Sequence, residues 1–128
     1  DLIMAQWHGI SKRKATGGRL VKSRGKRRTE ISAEKQYAVI GESKNKIYRK
    51  TGSNQTIRIL SENKISVNDP KTGKTKRVEI NNVVENPSNP NYVRRNILVK
   101  GAIVETKLGL VKISSRPGQD GVLNGVLQ

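Results

Sequence analysis

Residues 63–80 read NKISVNDPKTGKTKRVEI, and this stretch decides the fold. Ile65 and Val67 are separated by one polar residue, and so are Val78 and Ile80. A period of two puts each pair on one face of an extended strand. Between the two runs lies Asp69-Pro70-Lys71-Thr72-Gly73, with Pro and Gly where a tight turn needs them. The stretch is therefore predicted to be a β-hairpin with Val78 and Ile80 facing inward.

The same pattern extends in both directions. Upstream, period two begins at Tyr48, and Thr56-Ile57-Arg58-Ile59 alternates cleanly. Downstream, Asn81-Asn82 is a candidate bulge before Val83-Val84. Asn86 to Asn91, NPSNPN, is a loop by composition. Ile97 to Val104, ILVKGAIV, is apolar on both faces, as in a central strand or two strands joined near Gly101. Leu108 to Ile113 is a further strand, Arg116 to Gly121 a turn-rich loop, and Val122 to Leu127 a last strand. About six short strands at roughly ten-residue spacing predict an all-β fold. A small closed barrel is favoured over a sandwich, because closure leaves no open edges.

Composition agrees with strands. There is no Phe and one Trp, and 26 of the 32 Ile, Leu and Val residues follow Ala38, so the core is aliphatic, β-branched and late in the chain. The barrel is accordingly placed at residues 39–128, behind a long basic N-terminal extension at residues 1–38. Met4 reads as the natural start, with residues 1–3 an upstream addition. The segment Thr29 to Gly41, TEISAEKQYAVIG, leads into the barrel either as a short helix from Ser32 or as a strand carrying Tyr37, Val39 and Ile40.

The extension carries the charge. Of 26 Lys and Arg against 10 Asp and Glu, nine lie between Lys12 and Arg28, where there is no acid at all. They are Lys12, Arg13, Lys14, Arg19, Lys22, Arg24, Lys26, Arg27 and Arg28. Leu20 and Val21 are its only large aliphatic residues, too few to offset the ordering entropy. The extension is expected to be intrinsically flexible alone and to order against a polyanion. Thr16-Gly17-Gly18 at its centre is either a turn in a flexible arm or a place where backbone approaches a phosphate closely. It is not a P-loop, lacking the Lys-Ser/Thr ending and the preceding strand.

Catalytic chemistry is missing. His8 is the sole histidine, there is no cysteine, the acids are scattered, and no serine sits in a nucleophile elbow. No catalytic, metal or cofactor site and no small-molecule substrate is therefore expected. Disulfides and zinc knuckles with Cys ligands are excluded as well. No apolar run approaches eighteen residues, the start has no apolar signal region, and the arm has no apolar helical face, which argues against a membrane role.

A net charge of +16 and a pI near 10.6 point to nucleic acid. No recognition helix for a DNA groove is visible. A barrel with a basic arm suits structured RNA, whose crevices the arm fills as it orders. Arg49, Lys50, Arg58, Lys76, Arg77, Arg94 and Arg95 add cations on the barrel, each either an RNA contact or a solvated surface charge. Trp7 and His8 are candidates for stacking on unpaired bases, with packing of Trp7 onto the barrel as the alternative.

Trp7-His8 followed by Lys12-Arg13-Lys14-Ala15-Thr16-Gly17-Gly18-Arg19 resembles the N-terminal signature of the archaeal and eukaryotic small-subunit ribosomal protein family S8e. Arg24 to Glu30, Val83 to Asn89, Val93-Arg94-Arg95 with Leu98-Val99-Lys100, and Arg116 to Val122 resemble the same family. The length and ending look archaeal. Between Glu30 and Gly41 the family often has a Pro-containing run, and this sequence has none. The resemblance implies a β-barrel, an extension buried in small-subunit ribosomal RNA, and neighbouring small-subunit ribosomal proteins as further partners. It implies a cytoplasmic, ribosomal location and no enzymatic activity. The alternative reading is a non-ribosomal RNA-binding module, such as an RNA chaperone or assembly factor.

Overall fold

The structure is a computed structural model that describes Gln6, Trp7 and residues 9–128, with side chains from residue 9 onward. The chain divides into two units, Asp1–Lys35 and Gln36–Gln128.

In the first unit, β1 (Gln6–Trp7) pairs antiparallel with β2 (Ile31–Ser32), Trp7 opposite Ile31. The basic stretch forms the loop between them. Within that loop the one bridge outside named strands among the described residues joins Arg13 and Arg19.

The second unit opens with β3 (Ala38–Ile40) and the hairpin β4 (Lys44–Lys50) and β5 (Asn54–Glu62). Its tip is Thr51-Gly52-Ser53, with Gly52 and Ser53 in the left-handed region that a three-residue hairpin loop uses. The chain then passes through the single residue Asn63 into β6 (Lys64–Asn68) and β7 (Thr75–Glu85). This is the hairpin predicted at 63–80. Ile65 stands opposite Val78, and the Asp69 backbone N–H and the Lys74 carbonyl close the turn at 2.9 Å. Ile65, Val67 and Ile80 are buried and Val78 is half-buried.

Strand β7 contains two bulges against β9 (Ile103–Thr106), one between Ile80 and Asn82 and one between Val83 and Glu85. An extra residue reverses the alternation. That is why Ile80 and Val83, three apart, both face the core. A short helix α1 (Asn91–Arg94) follows the NPSNPN loop, in which the Oδ1 atoms of Asn86 and Asn89 accept the Ser88 and Asn91 backbone N–H groups. Ile97 to Val104 resolves into β8 (Ile97–Leu98) and β9, joined by a turn through Gly101. β10 (Gly109–Ile113), a four-residue helix α2 (Pro117–Asp120) and β11 (Asn124–Leu127) complete the chain.

Five strands close the barrel in the order β10-β11-β6-β7-β9, and a four-stranded sheet, β4-β5-β3-β8, lies outside it. The closed all-β barrel expected from the sequence is present with five strands, while the predicted run at residues 56–59, in β5, and Ile97–Leu98, in β8, lie in this second sheet. The segment Thr29 to Gly41 takes the strand alternative: Val39 pairs with Ser61 in parallel and with Ile97 antiparallel. Both sheets contribute to one apolar core. It includes Ile65, Val67, Ile80, Val83, Val104, Val111 and Ile113 from the barrel and Ala38, Ile59 and Leu98 from the sheet. Burying each large aliphatic side chain stabilises the fold by roughly 1.5–3 kcal/mol.

Candidate nucleic-acid interface

Every described residue from Gly9 to Thr29 is exposed. With almost nothing to bury, the segment is shaped by backbone hydrogen bonds at two turns. The first is built on Thr16-Gly17-Gly18. The Lys14 N–H donates to the Gly18 carbonyl at 2.8 Å, Leu20 N–H to Lys12 at 2.8 Å, and Gly17 N–H to Lys14 at 2.9 Å. Arg13 and Arg19 form a bridge across the turn. Gly17 has φ of 86°, where a side chain would be strained, and a Cβ built on it would meet nothing within 4 Å. The turn is therefore a bare patch of backbone, flanked by Lys12, Arg13, Lys14 and Arg19.

The second turn is organised by Glu30, the first acid after the basic run. Its Oε2 accepts the Arg27 N–H at 3.2 Å, its own N–H donates to the Arg27 carbonyl at 3.0 Å, and Arg24 pairs with Oε1. The Arg27 N–H foremost holds the Glu30 carboxyl below its usual range; desolvation opposes it, and the hydrogen bond and charge of the Arg24 guanidinium add to the lowering. Lys22, Arg24, Lys26, Arg27 and Arg28 are all carried on this loop. Of the stacking candidates, the Trp7 backbone sits in β1, while His8 and the Trp7 side chain lie outside the described residues.

In the second unit the predicted cations fall into two groups. Arg49, Lys50 and Arg58 lie on the β4–β5 hairpin. The register there pairs Lys46 with Arg58, Ile47 with Ile57, Tyr48 with Thr56, Arg49 with Gln55 and Lys50 with Asn54. Directly opposed residues share a face. Lys46, Tyr48, Lys50 and Arg58 thus lie on one face, and Arg49 lies on the other with Ile47 and Ile57. The Arg58 guanidinium is 5.0 Å from the centroid of the Tyr48 ring and the Lys46 ammonium 5.2 Å. Sequence reasoning missed Lys46 and Tyr48. The alternation Lys44, Lys46, Tyr48, Lys50 is the signal that finds them.

Arg94 and Arg95 sit at the end of α1, both exposed. The Arg95 guanidinium stands 5.3 Å from the Tyr37 ring centre, and Tyr37 packs against Tyr92 with ring centres 5.2 Å apart and tilted by 56°. The hydrogen bond with Tyr92 is the main reason that the Tyr37 phenol lies above its usual range. The structure brings Arg95 to an aromatic pair and leaves Arg94 on the surface. Lys76 and Arg77 lie on adjacent positions of β7 and so point to opposite sides of the barrel wall. Among the described residues no group of three or more His, Cys, Asp or Glu is placed to hold a metal, and no helix is long and apolar enough to cross a membrane.

The sequence profile of a family described as Ribosomal protein S8e matches residues 7–128. The chain is 54% identical over 121 residues to the small ribosomal subunit protein eS8 of Methanocorpusculum labreanum, covering 94% of this chain and 97% of that protein. It is 52% identical over 122 residues to the protein of the same name from Methanospirillum hungatei, covering 95% and 98%. The corresponding protein of Methanocella arvoryzae is 49% identical over 122 residues, with the same coverage of 95% and 98%.

Proposed function

The chain belongs to the ribosomal protein S8e family, and from that premise we propose that it is a structural constituent of the small ribosomal subunit, binding and stabilising ribosomal RNA. The observation that carries the RNA reading is the first unit's surface: nine cations between Lys12 and Arg28, all exposed, displayed on two backbone-built turns. Phosphate contacts supply affinity and position, and bare backbone at Gly17 and Gly18 lets an RNA strand come close. Residues 1–38 act as the RNA-binding extension. The hairpin cations Arg49, Lys50 and Arg58 and the helix-end cations Arg94 and Arg95 add contacts from residues 39–128. The role is architectural and non-enzymatic, carried out in cytoplasmic ribosomes beside neighbouring small-subunit proteins.

Co-sedimentation tests this. The protein is expected to stay with small subunits through a high-salt wash. Release by that wash would favour the alternative, an RNA chaperone or assembly factor that uses the same arm and barrel.

A further inference from the structure

The β4–β5 hairpin presents a second, separate concentration of charge. From Ser43 through Ser61 there is no acidic residue, while Lys44, Lys46, Arg49, Lys50 and Arg58 all fall within it. Lys46 and Arg58 are directly opposed in the ladder. Like charges in that position repel. Among the described residues neither pairs with a carboxylate. Beside both lies the Tyr48 ring, its centroid 5.0 Å from the Arg58 guanidinium and 5.2 Å from the Lys46 ammonium. The ring itself is held from its far end, where the Tyr48 hydroxyl donates to Oε1 of Gln36. A fixed aromatic with two uncompensated cations beside it is a poor stabilising device for a strand, and a good receptor for a group that has a flat ring and a negative charge together.

Resting on the RNA-binding reading above, we propose that the Lys46–Tyr48–Arg58 face of this hairpin holds one unpaired nucleotide. Its phosphate sits between the Lys46 ammonium and the Arg58 guanidinium, and its base stacks on the Tyr48 ring. The phosphate relieves the repulsion between the two cations, and the base replaces them over the ring. Stacking on an aromatic needs a base that is out of its helix, so the site selects single-stranded over duplex RNA. Arg49 has no part in it, because the register turns it to the opposite face.

The test uses the full chain, a fluorescein-labelled oligouridine, and a blunt RNA duplex of the same length, each titrated across salt concentrations. Tyr48→Leu is expected to weaken oligouridine binding by about tenfold at every salt concentration, leaving the salt slope and the duplex affinity unchanged. Tyr48→Phe keeps the ring and should bind within about twofold of the parent protein. Lys46→Gln combined with Arg58→Gln should make the oligouridine log–log salt slope shallower by about 0.7, one phosphate's share. Thermal melts of each variant separate loss of binding from loss of fold. The site is refuted if Tyr48→Leu binds oligouridine as tightly as the parent, or loses duplex binding equally. Loss with the double Gln variant alone also refutes it, since that describes a charge patch without a base site. Co-sedimentation of the same variants keeps the two readings apart. A parent protein that washes off small subunits overturns the ribosomal reading, whereas a retained parent with an unaffected Tyr48→Leu overturns only the nucleotide site.

Discussion

Ser43 and Glu62 meet at the joint between the two sheets, where the Ser43 hydroxyl donates to Oε2 of Glu62 at 3.1 Å. The other carboxylate oxygen accepts the backbone N–H groups of Asn63 at 3.0 Å and Lys64 at 3.3 Å. Glu62 is only 8% exposed. Its carboxylate thus serves the backbone donors at the one-residue turn from β5 into β6. Replacing it with Ala strands those donors in a half-buried place. Glu62→Ala should lower unfolding free energy by about 2–3 kcal/mol in urea titration, whereas Glu62→Gln, which keeps one acceptor oxygen, should cost less than about 1 kcal/mol. Equal losses for the two variants would show that the carbonyl-type acceptor is not what matters.

Gly125 sits on β11 inside the barrel wall. A Cβ there would lie 2.5 Å from Cγ1 of Val111 and 3.0 Å from the Lys112 carbonyl oxygen. The backbone atom cannot move without opening the β10–β11 ladder. Gly125→Ala is therefore expected to destabilise by about 1–3 kcal/mol through overpacking. Gly118→Ala, which meets nothing within 4 Å, should change stability by less than about 0.5 kcal/mol. The urea midpoints of the two variants give the comparison.

The arm's charge and its backbone shape are separable. If each of the nine cations between Lys12 and Arg28 neutralises one phosphate, binding should fall with a log–log salt slope of roughly −6 to −8. Substituting Val at both Gly17 and Gly18 leaves that charge untouched but forces a branched side chain onto a backbone at φ of 86°. Incorporation into small subunits should drop while the salt slope of binding to unstructured RNA stays the same. Unchanged incorporation would mean that the charges alone suffice.

Glu30 makes the second turn sensitive to acid. Its carboxyl lies below the usual value of 4.5 when the turn is formed, because the charged form accepts the Arg27 N–H and pairs with Arg24. A lowered folded value means that the contribution is complete above the unfolded value and is lost as pH falls through the folded one. The turn should therefore be intact at neutral pH and loosen only below about pH 4.5. Carboxyl chemical shifts should give a Glu30 midpoint under 4.5, and the Arg27 amide should move with the same midpoint. Glu30→Gln should remove that titration.

The sequence revealed elements whose signal is local. Alternation of Ile65 with Val67 and of Val78 with Ile80, punctuated by Pro70 and Gly73, was sufficient for the central hairpin. Asn81-Asn82 marked a real irregularity in β7. Helices α1 and α2 were invisible, since four residues hold barely one period. The split between barrel and outer sheet was also hidden. It depends on the parallel pairings of β3 with β5 and of β6 with β11, which join residues far apart in the chain. The same limit applies to the candidate interface. Arg49, Lys50 and Arg58 were legible as cations, and alternation alone turns Arg49 away from Tyr48, but that Arg58 shares a face with Tyr48 follows only from the strand register.

The seam that seals the barrel has a consequence in time. β11 joins β6 in parallel and β10 antiparallel, so the cylinder cannot close until residue 127 has been made. The polycationic segment ends at Arg28 and is synthesised far earlier. At roughly 5–20 residues per second, about 5 to 20 seconds separate its emergence from completion of the last stave. During that interval the nascent chain already carries its nine clustered cations while the barrel lacks its closing strand. If the segment binds RNA as proposed, capture can thus precede closure of the barrel.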